Sequence, residues 1–137
     1  MKMIQVRFKL AVLFSLAILV GAGTPAPADY GNAADVAAVR KVIQSEPQRA
    51  CKVAHADRIV VVGSYALAYV TCDFGSQELY AKRRGTWTHV ARGKPNIAAC
   101  WIRQAGATLD TTTQLYKRLG SYEFELKDDP NPNCLKP

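Results

Sequence analysis

At 137 residues, 49% of them hydrophobic and with a formal net charge of +7, the sequence has room for one ordinary domain and lacks the sparse, highly charged composition of a disordered chain. Residues 1–28 hold three of the basic residues and none of the acidic ones, so the remaining 109 residues carry only +4. That surplus is too mild for a nucleic-acid binder, which concentrates positive charge on one face.

The chain opens with a basic stretch, Lys2, Arg7 and Lys9, followed by the apolar run Leu10–Val20, which is short for a bilayer span. Ala26-Pro27-Ala28 fits the A-x-A pattern of a signal cleavage site, and Val20-Gly21-Ala22 is a second match. The expectation is a signal peptide at 1–28 and an exported domain at 29–137, periplasmic or extracellular, with no transmembrane segment after cleavage. Cys51, Cys72, Cys100 and Cys134 all fall in the exported part. An even count there implies two disulfides, and the lack of any C-x-x-C pair argues against zinc. Three pairings are open to four cysteines.

Asn32–Ser45 reads as a helix: Asn32 is its cap, Asp35 sits in a variant of the capping box, and Val36, Val39 and Ile43 make the apolar stripe. Pro47 ends it, and Ser45-Glu46-Pro47-Gln48 would cap a short second helix. Arg58–Arg92 then reads as two β-hairpins, turning at Gly63-Ser64 and at Arg84-Gly85. Alternation sorts the first into Ile59, Val61, Ala66, Ala68, Val70 and Cys72 on one side, and Val60, Val62, Tyr65, Leu67, Tyr69 and Thr71 on the other. In the second, Leu79, Ala81, Thr88 and Val90 oppose Glu78, Tyr80, Lys82, Trp87, His89 and Ala91. Small residues suit the face under an Ala-rich helix, so the two small-apolar sets are joined as the core. That gathers Tyr65, Tyr69, Tyr80, Trp87 and His89 on the opposite face. The first hairpin also sets Cys72 a few residues from Cys51 across the sheet, which favours Cys51–Cys72 and leaves Cys100–Cys134.

After Gly93-Lys94-Pro95, Asn96 caps an expected helix over Ile97–Ala105, stopped by Gly106. A further helix starts around Leu109, with Thr111 and Gln114 as its capping box, and ends at Gly120. Tyr122–Leu126 alternates like an edge strand, and Asp128–Pro137 is a Pro/Asn-rich tail. The expected fold is α+β: an N-terminal helix packed on an antiparallel sheet of four or five strands, two short C-terminal helices and two disulfides.

Of the two histidines, His55 lies beside Asp57 and His89 beside Trp87, without a nucleophile motif near either. Ser64 sits in a hairpin turn, not a nucleophile elbow. Asp129, Asn131 and Asn133 have calcium-loop spacing but lack the loop's Gly and terminal Glu, so no metal or cofactor is expected. Lys82, Arg83 and Arg84, with Arg92 and Lys94, form a basic cluster around one hairpin tip, a solvated guard for a sheet edge or a contact for an anionic partner. The candidate ligand surface is the aromatic face, Tyr65, Tyr69, Tyr80, Lys82, Trp87 and His89, together with Arg83 and Arg84. Its competing fate is burial beneath the C-terminal helices.

Val61-Val62-Gly63-Ser64-Tyr65-Ala66-Leu67, Gly85-Thr86-Trp87-Thr88-His89-Val90 and Gln104-Ala105-Gly106 resemble, in that order, a loose group of small exported bacterial helix-plus-hairpin proteins of unassigned function. The resemblance carries no catalytic residue. The functional expectation is a non-enzymatic exported binding protein, an inhibitor or cell-envelope module with a protein or anionic envelope component as partner. A small secreted hydrolase using a histidine site and a secreted effector or structural protein are the alternatives.

Overall fold

The computed structural model describes residues 28–46, 51, 53–72, 74–94 and 96–120. The elements run α1 (Ala33–Ser45), β1 (His55–Val62), β2 (Tyr65–Thr71), β3 (Gly75–Arg83), β4 (Thr86–Gly93), α2 (Ala99–Gln104) and α3 (Leu109–Leu119). The four strands form one antiparallel meander in the order β1-β2-β3-β4. Helix α1 packs on one face through Val36, Val39 and Ile43, against Ile59, Val61, Ala66 and Ala68. Helices α2 and α3 pack on the other through Ile102, Leu115 and Leu119, against Val60, Leu67 and Leu79. The architecture is therefore α+β with three layers, since a sheet apolar on both faces needs a cover on each. The expected helix after Ser45, the Tyr122–Leu126 strand and the C-terminal tail lie outside the described residues.

Local chemistry sets the element ends. Asn32 Oδ1 accepts the backbone N–H of Ala34 at 2.9 Å and of Asp35 at 3.3 Å, as an N-cap does. The Gly63 turn has φ 59° at its first central residue, and Val62 pairs with Tyr65. Arg84 and Gly85 both take positive φ, 51° and 81°, the pattern of a type I′ turn, and Arg83 pairs with Thr86. Helix α3 starts at Leu109, as expected, but its cap lies three residues before the Thr111 of the expected capping box. Thr108 is its cap, accepting the Thr111 N–H at 3.1 Å, while Gln114 donates to Asp110 within the helix. Helix α2 is shorter than expected, Ala99–Gln104, and has no side-chain cap. The reason is tertiary: the Ile97 N–H donates to the buried Gln77 side chain at 3.1 Å, and the Ile97 carbonyl accepts the Tyr116 hydroxyl. With both its polar backbone groups engaged by neighbours, Ile97 is drawn into the core instead of opening the helix.

The join between the hairpins corrects the expected faces. Thr71 pairs with Gly75, so three residues connect β2 to β3, and Ala66 stands opposite Tyr80. An odd connection puts even-numbered residues of β2 beside even-numbered residues of β3. Ala66, Ala68 and Val70 thus share a face with Ser76, Glu78 and Tyr80, and beyond them with Trp87 and His89. Tyr65, Leu67 and Tyr69 share the other with Gln77, Leu79 and Ala81. The small side chains of β2 leave room for the large ones of β3 and β4 under the same helix, which is how the layers interdigitate.

Cys51 and Cys72 are joined, with their Cα atoms 5.6 Å apart, and none of the described cysteines is free. The expected Cys100–Cys134 pair includes a residue outside the described ones; Cys100 itself is buried in α2. Non-reducing peptide mapping should recover the Cys51–Cys72 cross-link. Since the bond closes a loop of separation 21, the double variant C51A/C72A should lose about 3 kcal/mol in a urea melt. A fragment joining Cys51 to Cys100 would contradict the fold.

Candidate functional site

The candidate residues divide between the two faces. Tyr65 and Tyr69 are half-buried under the C-terminal helices, and the Tyr65 hydroxyl donates to the Ala105 carbonyl at 3.1 Å. Tyr80, Lys82, Trp87 and His89 come together on the α1 face. Tyr80 is fully buried and Trp87 only 5% exposed. The single aromatic surface expected from the sequence is therefore two separate interior sets, and what covers Trp87 is α1, not the C-terminal pair. Arg83 and Arg84 stay exposed at the hairpin tip.

Under the first turn of α1, Asp35 Oδ1 accepts Lys82 Nζ at 2.7 Å and Trp87 Nε1 at 3.0 Å. The hydrogen bond from Lys82 and then that from Trp87 hold the Asp35 carboxyl below its ordinary range, outweighing the small opposing effect of burial. The sequence suggested Asp35 as a capping-box member; its side chain instead fastens the helix start to the β3–β4 hairpin.

Under the last turn of α1 lies a second group, in which Tyr80 and His89 meet two carboxylates, Glu46 and Glu78, that the sequence reading did not single out. Glu78, fully buried on β3, accepts Ser76 Oγ at 3.1 Å and Arg92 Nε at 2.8 Å on one oxygen, and the Tyr80 hydroxyl at 2.5 Å on the other. Arg92 also reaches Glu46, the C-cap of α1, at 3.4 Å. His89 Nδ1 lies 3.3 Å from Glu46, and its ring tilts against Tyr80 with centroids 5.4 Å apart. Its Nε2 is shielded from solvent and has no hydrogen-bond partner among the described residues, lying 3.9 Å from Glu78. The signal in the sequence was Glu78 itself: an acid in phase with Tyr80 and Lys82 on an interior strand needs a buried cation, and Arg92 is the one β4 supplies.

Glu46, Glu78 and His89 offer donor atoms within 4.8 Å of one another, a set that suits a divalent cation by ligand type. Arg92, however, already bonds both carboxylates, and both Glu78 oxygens are taken. A metal would have to displace the guanidinium or share its place with it. The group is better described as an ion-pair network that clamps the end of α1 to β3 and β4. His55 is exposed at the start of β1, and the neighbouring Asp57 carboxylate accepts the Thr71 hydroxyl.

What remains open lies at the tip and outer edge of the second hairpin. The two edges of the sheet differ. On β1 the Tyr30 N–H donates to the Ile59 carbonyl at 2.9 Å and its carbonyl accepts the Val61 N–H at 2.8 Å, while Asp29 accepts the Ile59 N–H at 2.8 Å. Strand β4 has no neighbour on its outer side among the described residues. Thr86, Thr88 and Val90 are exposed along it, and Arg83 and Arg84 end it with no carboxylate bonded to either among the described residues. No family model, no curated protein and no solved structure matches the chain.

Two consequences can be measured. Trp87→Ala removes a large buried side chain and its bond to Asp35, so it should cost about 3–5 kcal/mol in a denaturant melt. A change under 1 kcal/mol would mean that the residue is exposed in solution. For Asp35, a folded value below the ordinary 3.8 means that its contribution is present above the unfolded carboxylate value and is lost as pH falls through the folded one. The gap in Tm between the parent and Asp35→Asn should therefore hold from pH 7 down to about pH 4 and close below that. A gap that closes already between pH 7 and 5 would refute the assignment.

Proposed function

We propose that this chain is an exported, non-enzymatic binding protein that engages an anionic partner, a protein or a cell-envelope component, through the basic tip of the β3–β4 hairpin. The observation that carries the reading is the contrast between Lys82 and its two neighbours. Lys82 is neutralised internally by Asp35, whereas Arg83 and Arg84 project from a type I′ turn that fixes the backbone and, among the described residues, leaves both guanidinium groups without a facing acid. A cation pair on a pre-formed turn loses little entropy on meeting an anion, and Arg suits carboxylate and phosphate better than Lys does. Tyr80 and Trp87, buried beneath α1, back the hairpin from behind, and the contact surface in this reading is the tip.

Export is the second half of the proposal. Its support is the N-terminal sequence: the basic Lys2, Arg7 and Lys9, the apolar run Leu10–Val20 and the A-x-A match that follows. Asp29 pairs with Arg40 at 2.5 Å and accepts from β1, and Tyr30 adds to β1. Asp29 and Tyr30 both lie just after Ala26-Pro27-Ala28, so a cut there would leave these contacts in the mature chain.

Intact mass of the protein recovered from periplasm or culture fluid should correspond to a chain starting at Asp29; full-length material there would refute cleavage. For binding, immobilised poly-L-glutamate should retain the parent protein, with retention falling as salt rises, because the tip charges are exposed and screened. The variant R83S/R84S should keep its melting curve and lose most of that retention. Equal retention of parent and variant would remove the tip from consideration.

A further inference from the structure

We infer that the outer edge of β4 is a docking strand for an extended acidic peptide segment, which joins the sheet as a fifth strand beside the basic tip. The inference rests on the proposed role of the tip and names its partner: a polypeptide in extended conformation with carboxylates at one end.

The backbone argues first. Arg83 and Thr86 flank a two-residue turn, so they exchange both hydrogen bonds with each other, and alternation along an antiparallel pair then turns the N–H and C=O of Trp87 and His89 away from β3. Among the described residues nothing accepts from or donates to them on that side. Beyond His89 the ladder is interrupted, because Tyr80 pairs with His89 and Leu79 with Ala91, leaving Val90 as the extra residue of a bulge. Bulges blunt edges, so the pairing surface is the stretch Thr86–His89, the part next to the arginines. The side chains of Trp87 and His89 are held beneath α1 by Asp35 and Glu46, which fixes the orientation of the open backbone groups.

Charge then selects the occupant. Strand addition supplies affinity through main-chain bonds, and specificity must come from side chains nearby. Here these are Arg83 and Arg84 at the end of the ladder and Thr86 and Thr88 along it. Two copies of this chain pairing at β4 would bring both arginine pairs onto one short ladder with no facing carboxylate. A self-association is therefore disfavoured and an acidic strand favoured. The opposite edge does not compete for such a strand, since Tyr30 and Asp29 occupy the middle of β1.

The test uses the parent protein and two synthetic probes: a capped eight-residue peptide alternating Glu with Thr and Val, and the same peptide N-methylated along its backbone. In hydrogen-exchange NMR, the Trp87 and His89 amides of the free protein should exchange freely. The first peptide should slow both by about tenfold or more, and the methylated one should leave them unchanged and bind at least about tenfold more weakly. Equal binding of the two peptides, or binding that protects neither amide, would overturn strand addition while leaving the basic-tip reading intact. Failure of both peptides and of poly-L-glutamate to bind would overturn both. Two copies pairing through β4 would show instead as Trp87 and His89 protection that grows with protein concentration in the absence of peptide, which also refutes the acidic partner.

Discussion

The three-residue connection between β2 and β3 decides what this molecule is. Its odd length places Ala66 and Ala68 beside Tyr80 and Glu78, so a helix resting on the small residues of one hairpin must also cover the large and polar residues of the next. Shifting the register by one would turn Glu78 toward the C-terminal helices and bring Leu79 under α1. Two features hold the parity. The Cys51–Cys72 bond fastens the chain just before the turn. Gly75, just after it, lies so close to the Tyr69 hydroxyl that a Cβ there would stand 2.7 Å away, so a larger residue would force the tyrosine to move.

Given that register, the polar residues under α1 follow. A carboxylate on an interior strand with no exposure cannot remain unpaired, and Glu78 accepts donors on both of its oxygens, from Ser76, Arg92 and Tyr80. Such a cluster adds little net stability over an apolar one of equal volume, because desolvation offsets the attraction. Its role here is specificity. Glu46 is the C-cap of α1, and its bond to Arg92 together with that of Asp35 to Lys82 sets both ends of the helix over the same hairpin. Helix α1 is thus aligned by polar contacts and held by apolar ones.

The sequence showed local structure well and long-range parity poorly. The α1 cap and stripe, both two-residue turns and the Gly120 stop depend on residues a few positions apart, and each was readable from Asn32, Gly63, Arg84-Gly85 and Gly120. The partition of the aromatics was not, because it hinges on one connection whose length composition does not state. Grouping the small residues together was the wrong choice between two parities, since packing favours small against large. Helix α2 misled for a related reason: Asn96 is a good cap in isolation, but Gln77 and Tyr116, distant in sequence, claim the backbone of Ile97. The candidate site was legible only at its tip. Arg83 and Arg84 are exposed because a turn of that type must project, whereas the fate of Tyr65, Tyr69, Tyr80 and Trp87 depended on which helix lay over which face.

The sheet is asymmetric in a way that bears on function. An antiparallel sheet covered on both faces leaves only its edges to present backbone to other molecules. Here the edges are treated differently. The N-terminal segment lies along β1, spending the Tyr30 backbone and the Asp29 carboxylate on it, and close packing enforces the fit: a Cβ on Gly31 would stand 2.7 Å from the Val61 side chain. On β4 the described structure adds no such cover, only a bulge at Val90 and two arginines at the turn. A bulge and positive charge are the means by which an edge is made unattractive to neutral or like-charged strands. They do not exclude an acidic one, for which the same arginines become the favourable contact. In the proposed reading, the features that disfavour pairing of two copies at β4 are the same ones that select an acidic partner.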